Sequence, residues 1–310
     1  MQRSERTVGA GPQGMFRLSS PVPPQLYFVV SAVFHYLGPS FAVLLFARVP
    51  VLGVAWLRIA SAAVVLALWR RPWRGLARLD REALGLLVLW GAVLAVMNAC
   101  FYTAISRVPL GTVAAIEFLP VIVLAALGAR SPRNVVALVL AVPGVYLLTD
   151  VKLAGAAEGF GFAFANALLF AVYIVLADRV AKRPVLSGID GLAGAMLIAA
   201  VVITPIGGRQ ALHAFADPVL VLAGIGVGIS SSVIPYVADQ LVLARLPRAT
   251  YATLISILPA VATVIGIFVL AQIPGPAELC GLALVTAGVA LHRASPASEG
   301  VVDGVLEERK

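Results

Sequence analysis

Two side chains in this 310-residue chain carry charge where the surrounding sequence is apolar. Glu117 stands near the middle of VPLGTVAAIEFLPVIVLAALG (108–128), and Arg58 near the middle of VLGVAWLRIASAAVVLALWR (51–70). A charged group at the centre of a membrane helix costs about 2.5–3.5 kcal/mol on insertion scales, and is tolerated when it faces a wet cavity or a partner. A carboxylate so placed can hold a substrate ammonium group or carry a proton. A guanidinium can grip a carboxylate through two parallel N–H bonds. Together the pair supplies one group of each sign, which is what a zwitterion needs. The competing reading is structural: the two pair with each other, or Arg58 with backbone carbonyls, and lock helices together.

Other polar residues extend the set. Asn98 and Tyr102 share one helix face at i and i+4, and either bond a ligand or bond across helices. Tyr236 and Asp239 lie in PYVADQ (235–240), with Asp239 either a gate that closes on Arg245 or an interfacial carboxylate. Asn166, Tyr173 and Ser231 are weaker candidates of the same kind, and His35, in the first span, reads as a packing or pore-lining residue rather than a proton relay. Pro109, Gly111, Pro120, Pro235 and Pro259 act on the backbone instead. A proline removes a donor, frees a carbonyl, and bends or ends a helix beside a cavity or within a packed bundle.

The elements that must position these groups are membrane spans. Hydrophobic residues make up 61% of the chain and charged residues 12%, with a mean hydropathy of +0.99. A soluble domain is nearer half apolar and a quarter charged. A spanning helix needs about 20 mostly apolar residues. Ten such stretches lie near 26–47, 50–69, 82–105, 108–128, 134–149, 159–178, 190–206, 219–243, 249–271 and 277–292. No stretch is left for a second, soluble domain. Residues 1–25 lack the apolar core of a cleavable signal peptide and read as a cytoplasmic tail before a retained first helix. Residues 294–310 read as a second tail.

The net charge of +8 suggests topology rather than nucleic acid. With the N-terminus inside and ten alternating helices, only Arg48, Arg107, Lys152 and Arg209 of the 23 basic residues fall in outer loops, and Arg58 in a span; the rest are cytoplasmic. That is a positive-inside bias in a multi-pass protein of the inner membrane with both termini cytoplasmic. Cys100 and Cys280 fall within spans and form neither a disulfide framework nor a metal site, so no metal or cofactor is expected.

The sequence also repeats. ISRVPLGTVAAIEFLP (105–120) and LARLPRATYATLISILP (243–259) both run from a basic residue and Pro, through Thr, to a second Pro. LAVPGVYL (140–147) matches LVTAGVAL (284–291), with Gly144 against Gly288. The fourth span thus pairs with the ninth and the fifth with the tenth. A five-helix unit, being odd, enters the membrane inverted in its second copy. Inverted repeats place a substrate site near the midplane between the halves.

With these residues in view, the chain resembles the EamA-type branch of the drug/metabolite transporter superfamily. MNACFYTAISRVPLGTVAAIEFLP (97–120) is similar to the bacterial threonine/homoserine exporters, whose recurring pattern is met at Met97, Asn98, Phe101, Tyr102, Ile105, Val108, Pro109, Leu110, Gly111, Ala115, Glu117 and Phe118. WLRIA (56–60), RPWR (71–74) and PYVADQLVLARLP (235–247) look like their counterparts too. Three positions depart from the pattern. One residue fewer separates Glu117–Phe118 from the following Pro, Leu258 stands where the exporters carry Glu, and Ala271–Gln272 stands for Gly–Glu.

The resemblance implies an all-α integral membrane fold of ten helices as two inverted five-helix repeats, 26–150 and 158–293. It implies alternating-access export of a small amino acid such as threonine or homoserine, driven by proton antiport. A multidrug exporter of the same fold is the alternative within the class, left open by Phe118, Tyr102 and Trp90. A non-transporting sensor or scaffold is the alternative outside it. No Walker loop, HExxH or G-x-S-x-G motif is present, which argues against an ATPase or hydrolase. The glycines of GIGVG (224–228) could serve a homodimer or packing within one chain.

Overall fold

A computed structural model describes residues 23–76, 79–120, 122–123, 131–150, 153–181, 183, 189–243 and 254–291. Residues 1–22 of the first tail, the whole of the second tail and Arg245 lie outside these residues. Every regular element among them is helical. We label the main ones α1 (Pro24–Leu45), α2 (Val51–Arg70), α3 (Arg81–Ile105), α4 (Leu110–Glu117), α5 (Pro132–Asp150), α6 (Leu153–Ala181), α7 (Ile189–Ile203), α8 (Pro218–Gly228), α9 (Ile234–Leu243), α10 (Leu258–Leu270) and α11 (Pro276–Leu291). A π-helical turn, Ile229–Val233, joins α8 to α9.

Six of the described helices are long and apolar enough to cross a membrane: Leu26–Leu45, Val51–Arg70, Arg81–Ile105, Ala156–Val180, Ile189–Ala216 and Pro218–Asp239. Pro132–Leu148, Leu258–Leu270 and Pro276–Leu291 are shorter apolar helices. The expected span 108–128 is described through α4 and a few residues beyond it. The bundle reverses the polarity of a soluble protein. Large apolar side chains such as Leu68, Leu168, Val201 and Phe268 face outward, while Arg58, Asn98, Glu117 and Asn166 are buried. An outward apolar surface of this extent suits lipid, not water.

The local sequence sets the helix ends. Asp80 and Asp217 each cap a helix, accepting from the backbone N–H of Ala83 at 2.7 Å and of Val219 at 2.9 Å. Each satisfies a first-turn donor that would otherwise be orphaned. Pro109 precedes α4 as its N-cap residue, and α4 stops at Glu117 with Phe118 in a turn. Pro120 explains that stop: its ring crowds the carbonyl four residues back and it has no N–H to give. The same device recurs at Ser256–Ile257, a turn two residues ahead of Pro259 at the start of α10.

Packing follows small residues. α5 lies along α11, where a Cβ on Gly144 would come within 2.8 Å of the Gly281 carbonyl, and one on Gly288 within 2.8 Å of the Ala137 carbonyl. Gly288 follows Gly144 by the same interval as Gly281 follows Ala137, so the contact maps onto itself when the two helices are exchanged. Other pairings behave likewise: α3 on α6 matches α1 on α9, and α4 on α6 matches α1 on α10. Within GIGVG, Gly224 packs on Leu57 and Gly228 on Ser61 and Arg58, both on α2 of the same chain, while Gly226 has open space.

Ala271 ends α10 in the left-handed region at φ 54°, with its N–H bonded to the Gly266 carbonyl through the cap. An L-residue there costs roughly 1–2 kcal/mol, and glycine is the residue that avoids it. Ala271→Gly is therefore expected to stabilise the protein by about 0.5–1 kcal/mol after glycine's own entropy cost, read as a higher melting temperature in detergent.

Candidate functional site

Arg58 lies on α2 and is only 6% exposed. Its guanidinium ties α2 to α3 and to the π turn. Nη1 donates to Asn98 Oδ1 on α3 at 2.7 Å, Nε to Ser232 Oγ at 3.1 Å, and Nη2 to the Ser231 carbonyl at 3.3 Å. The Tyr102 ring, one turn beyond Asn98, lies 5.3 Å from the guanidinium carbon. The cation thus stands over an aromatic face, a favourable contact once desolvated.

The carbonyl that Arg58 finds is free for a reason. Ser231 lies four residues before Pro235, which has no N–H to return to it. The π turn adds a second irregularity at the same place, as π turns at functional sites often do. It presents Ser231 and Ser232 together toward α2, with Gly228 letting the backbones meet. The run SSSVIP (230–235) was the signal for this turn; Ser232 was not among the residues singled out from sequence.

Glu117, the last residue of α4, is 8% exposed. Asn166 Nδ2 on α6 donates to its Oε1 at 3.0 Å. Arg58 and Glu117 do not bond each other directly; their hydrogen bonds go to different helices. Tyr236, on α9, is half-buried and packs against the core. Of the two structural alternatives, an Arg58–Glu117 pair is not present, whereas a bond from Arg58 to a backbone carbonyl is, at Ser231.

The remaining sequence candidates fall around this centre. Asp239 Oδ1 accepts from Ser31 Oγ on α1 at 2.6 Å, and Ser31 also reaches the Pro235 carbonyl at 3.3 Å. His35 packs edge-on against Tyr36 at 5.2 Å between ring centres. Pro109, Gly111 and Pro259 are backbone residues of the α4–α10 contact. A Cβ on Gly111 would fall on Thr263 Oγ1, and Thr263 itself donates to the Pro259 carbonyl at 2.9 Å. On α6, Asn166, Phe170 and Tyr173 share a face. Their rings continue to Phe118 and Trp90, forming an aromatic wall beside Glu117.

The centre has unspent hydrogen-bonding capacity. Among the described residues, the Tyr36 hydroxyl and the Asn166 amide oxygen are buried with no hydrogen-bond partner. Arg58 makes the three bonds above, and a guanidinium carries five N–H donors. Buried polar groups are normally satisfied, so such atoms are exceptions that call for a physical reason. A separate pocket of about 90 Å³ opens between the ends of α4, α5, α10 and α11, lined by Pro109, Gly111, Thr112, Gln272 and Glu278 among others. Neither Arg58 nor Glu117 lines it. There Gln272 Oε1 accepts from the Leu110 N–H at 3.0 Å and caps α4 from outside.

Residues 157–293 match the EamA-like transporter family. The threonine/homoserine exporter RhtA of Escherichia coli (strain K12) is 34% identical over 257 residues, which is 81% of this chain and 84% of that protein. RhtA of Salmonella typhimurium (strain LT2) is 34% identical over 242 residues, 76% of this chain and 79% of that one. The chain belongs to the EamA-like transporter family. It is a multi-pass membrane protein, and its relatives are exporters, not enzymes. One chain of known crystal structure shares the fold, with a TM-score of 0.55 at 18% identity over 86% of this chain and 95% of that one.

Proposed function

We propose that this protein exports small polar amino acids, threonine and homoserine among them, across the bacterial inner membrane. The observation that carries this reading is a buried centre of opposite charges whose members are held apart on different helices with capacity to spare. A static lock would pair them and use that capacity up. In this reading Arg58, with Tyr102 beside it, takes the substrate carboxylate, and Glu117 takes the ammonium group. Asn98, Ser231 and Ser232 hold the guanidinium in place, and Tyr236 and Asp239 border the centre on one side.

Two five-helix halves, 26–150 and 158–293, alternate access around that centre, with both termini cytoplasmic. The matched turns before Pro120 and Pro259 and the exchangeable α5–α11 contact support the ten-helix inverted repeat. Glu117 is the carboxylate available to carry a coupling proton between substrate loads. The aromatic wall of Phe118, Phe170, Tyr173 and Trp90 favours one second reading, export of larger aromatic compounds by the same fold.

The test is efflux from proteoliposomes loaded with labelled threonine, homoserine or tryptophan. Threonine and homoserine are expected to leave faster than from protein-free vesicles, and faster still with protons supplied from the opposite side. Efflux of tryptophan alone would move the substrate to the aromatic class, and no efflux would overturn the amino acid reading.

A further inference from the structure

α2 is long and apolar enough to cross a membrane and ends at Arg70, so the turn that follows it lies at the membrane surface. Arg71 precedes Pro72, which bars it from continuing the helix, and it takes the left-handed conformation at φ 50°. The Arg74 N–H donates to the Arg71 carbonyl at 3.1 Å, and the Gly75 N–H to the Pro72 carbonyl at 2.9 Å. A turn closed in this way holds its first and fourth Cα atoms within about 7 Å. Both arginines are exposed, and the indoles of Trp69 and Trp73 beside them are 47% and 49% exposed.

The neighbouring carboxylates are committed elsewhere. The helical turn Trp73–Leu76 packs on α7, whose Asp190 accepts from Arg70 Nε at 2.7 Å and Nη2 at 3.1 Å. At the start of α3, Asp80 caps the helix through the Ala83 N–H and Glu82 pairs with Arg183. Among the described residues, no carboxylate pairs with Arg71 or Arg74. An L-residue is also strained at φ 50°, where glycine is not, so Arg71 holds its place at a cost to the fold.

We propose that Arg71 and Arg74, with Trp69 and Trp73, bind the headgroup of an anionic phospholipid in the leaflet that this turn faces. Two guanidiniums on one turn offer the forked donors that suit a phosphodiester. Half-exposed indoles are the side chains of a membrane–water interface. A soluble anion would use the arginines and leave the indoles idle; a lipid uses both. A zwitterionic lipid brings its own cation to the phosphate, and two unpaired guanidiniums repel it. The site does not depend on which substrate the protein carries.

The experiment titrates phosphatidylglycerol or phosphatidylcholine into the full chain in detergent and counts bound lipid by native mass spectrometry. Wild type is compared with Arg71→Gly, Arg74→Gln and Arg179→Gln. A basic residue near an anionic lipid is worth about fivefold in affinity. Wild type is expected to bind phosphatidylglycerol about tenfold or more tighter than phosphatidylcholine, and Arg71→Gly and Arg74→Gln each to lose about fivefold for phosphatidylglycerol alone. Arg179→Gln removes the same charge from an exposed arginine near the end of α6 and should change neither lipid. Arg71→Gly separates binding from folding: relief of the left-handed strain should raise the lipid-free melting temperature while phosphatidylglycerol binding weakens. Equal affinity of wild type for the two lipids overturns the site, and so does wild-type binding in both Arg71→Gly and Arg74→Gln. An equal loss in Arg179→Gln would make the attraction one of net charge, not of this turn. Competition by glycerol 1-phosphate at the concentration of the lipid would make it a site for soluble anions and overturn the lipid assignment.

Discussion

Glu117→Gln is expected to reach the membrane at the wild-type level and to export threonine at no more than about one-hundredth of the wild-type rate. Glutamine keeps the length of the side chain, and its carbonyl oxygen can still accept from Asn166 Nδ2. The α4–α6 contact therefore survives. What is lost is the negative charge in a buried setting. Truncating one member of a buried, hydrogen-bonded charge pair costs about 2–5 kcal/mol, and about 3 kcal/mol corresponds to roughly a hundredfold. The lost term is the attraction to the substrate ammonium group and, if Glu117 also carries the coupling proton, the exchange step. Labelled efflux against membrane content by immunoblot is the measurement. Export at the wild-type rate would make Glu117 structural and send the search for the site to the pocket between Pro109 and Glu278.

The charged centre was legible in the sequence because lipid makes it conspicuous: Arg58 and Glu117 are outliers in runs where nearly every neighbour is apolar. The prolines were legible for a related reason, since Pro109, Pro120 and Pro259 can only begin, end or interrupt a helix. What the sequence withheld was pairing. Asn166 meets Glu117 across 49 residues and Arg58 meets Ser232 across 174, and no periodicity within a single helix encodes such a meeting. The π turn at Ile229–Val233 was hidden as well. Its serines are unremarkable for a membrane helix, and only the carbonyl freed by Pro235 gives them their role. The departures from the exporter pattern were visible as letters but not as geometry. Ala271 proves to hold a left-handed cap, and Gln272 proves to close the N-terminus of α4.

Gly38→Val is expected to disable the protein through the backbone rather than through any charged group. A Cβ on Gly38 would stand 2.4 Å from Ser231 Cβ, 2.7 Å from Ser231 N and 2.8 Å from Ser231 Cα. No side-chain rotation relieves contact with a backbone, so α1 must move away from the π turn. Overpacking of this kind costs about 1–3 kcal/mol in well-packed interiors, and a melting temperature in detergent lower by roughly 5 °C is expected. The functional loss should be larger than the stability loss. Ser231 supplies the carbonyl that receives Arg58, so the displacement disturbs the proposed substrate site directly. Export is expected to fall by more than about tenfold, since a misplacement of about 1 Å in a positioned site can cost a hundredfold. Gly226→Val is the matched control, because nothing lies within 4 Å of a Cβ there, and it should leave both readings near wild type. If the two variants behave alike, the close approach of α1 to the π turn is not what holds the site together; if only Gly38→Val fails, the geometry of the charged centre depends on a residue that carries no chemistry of its own.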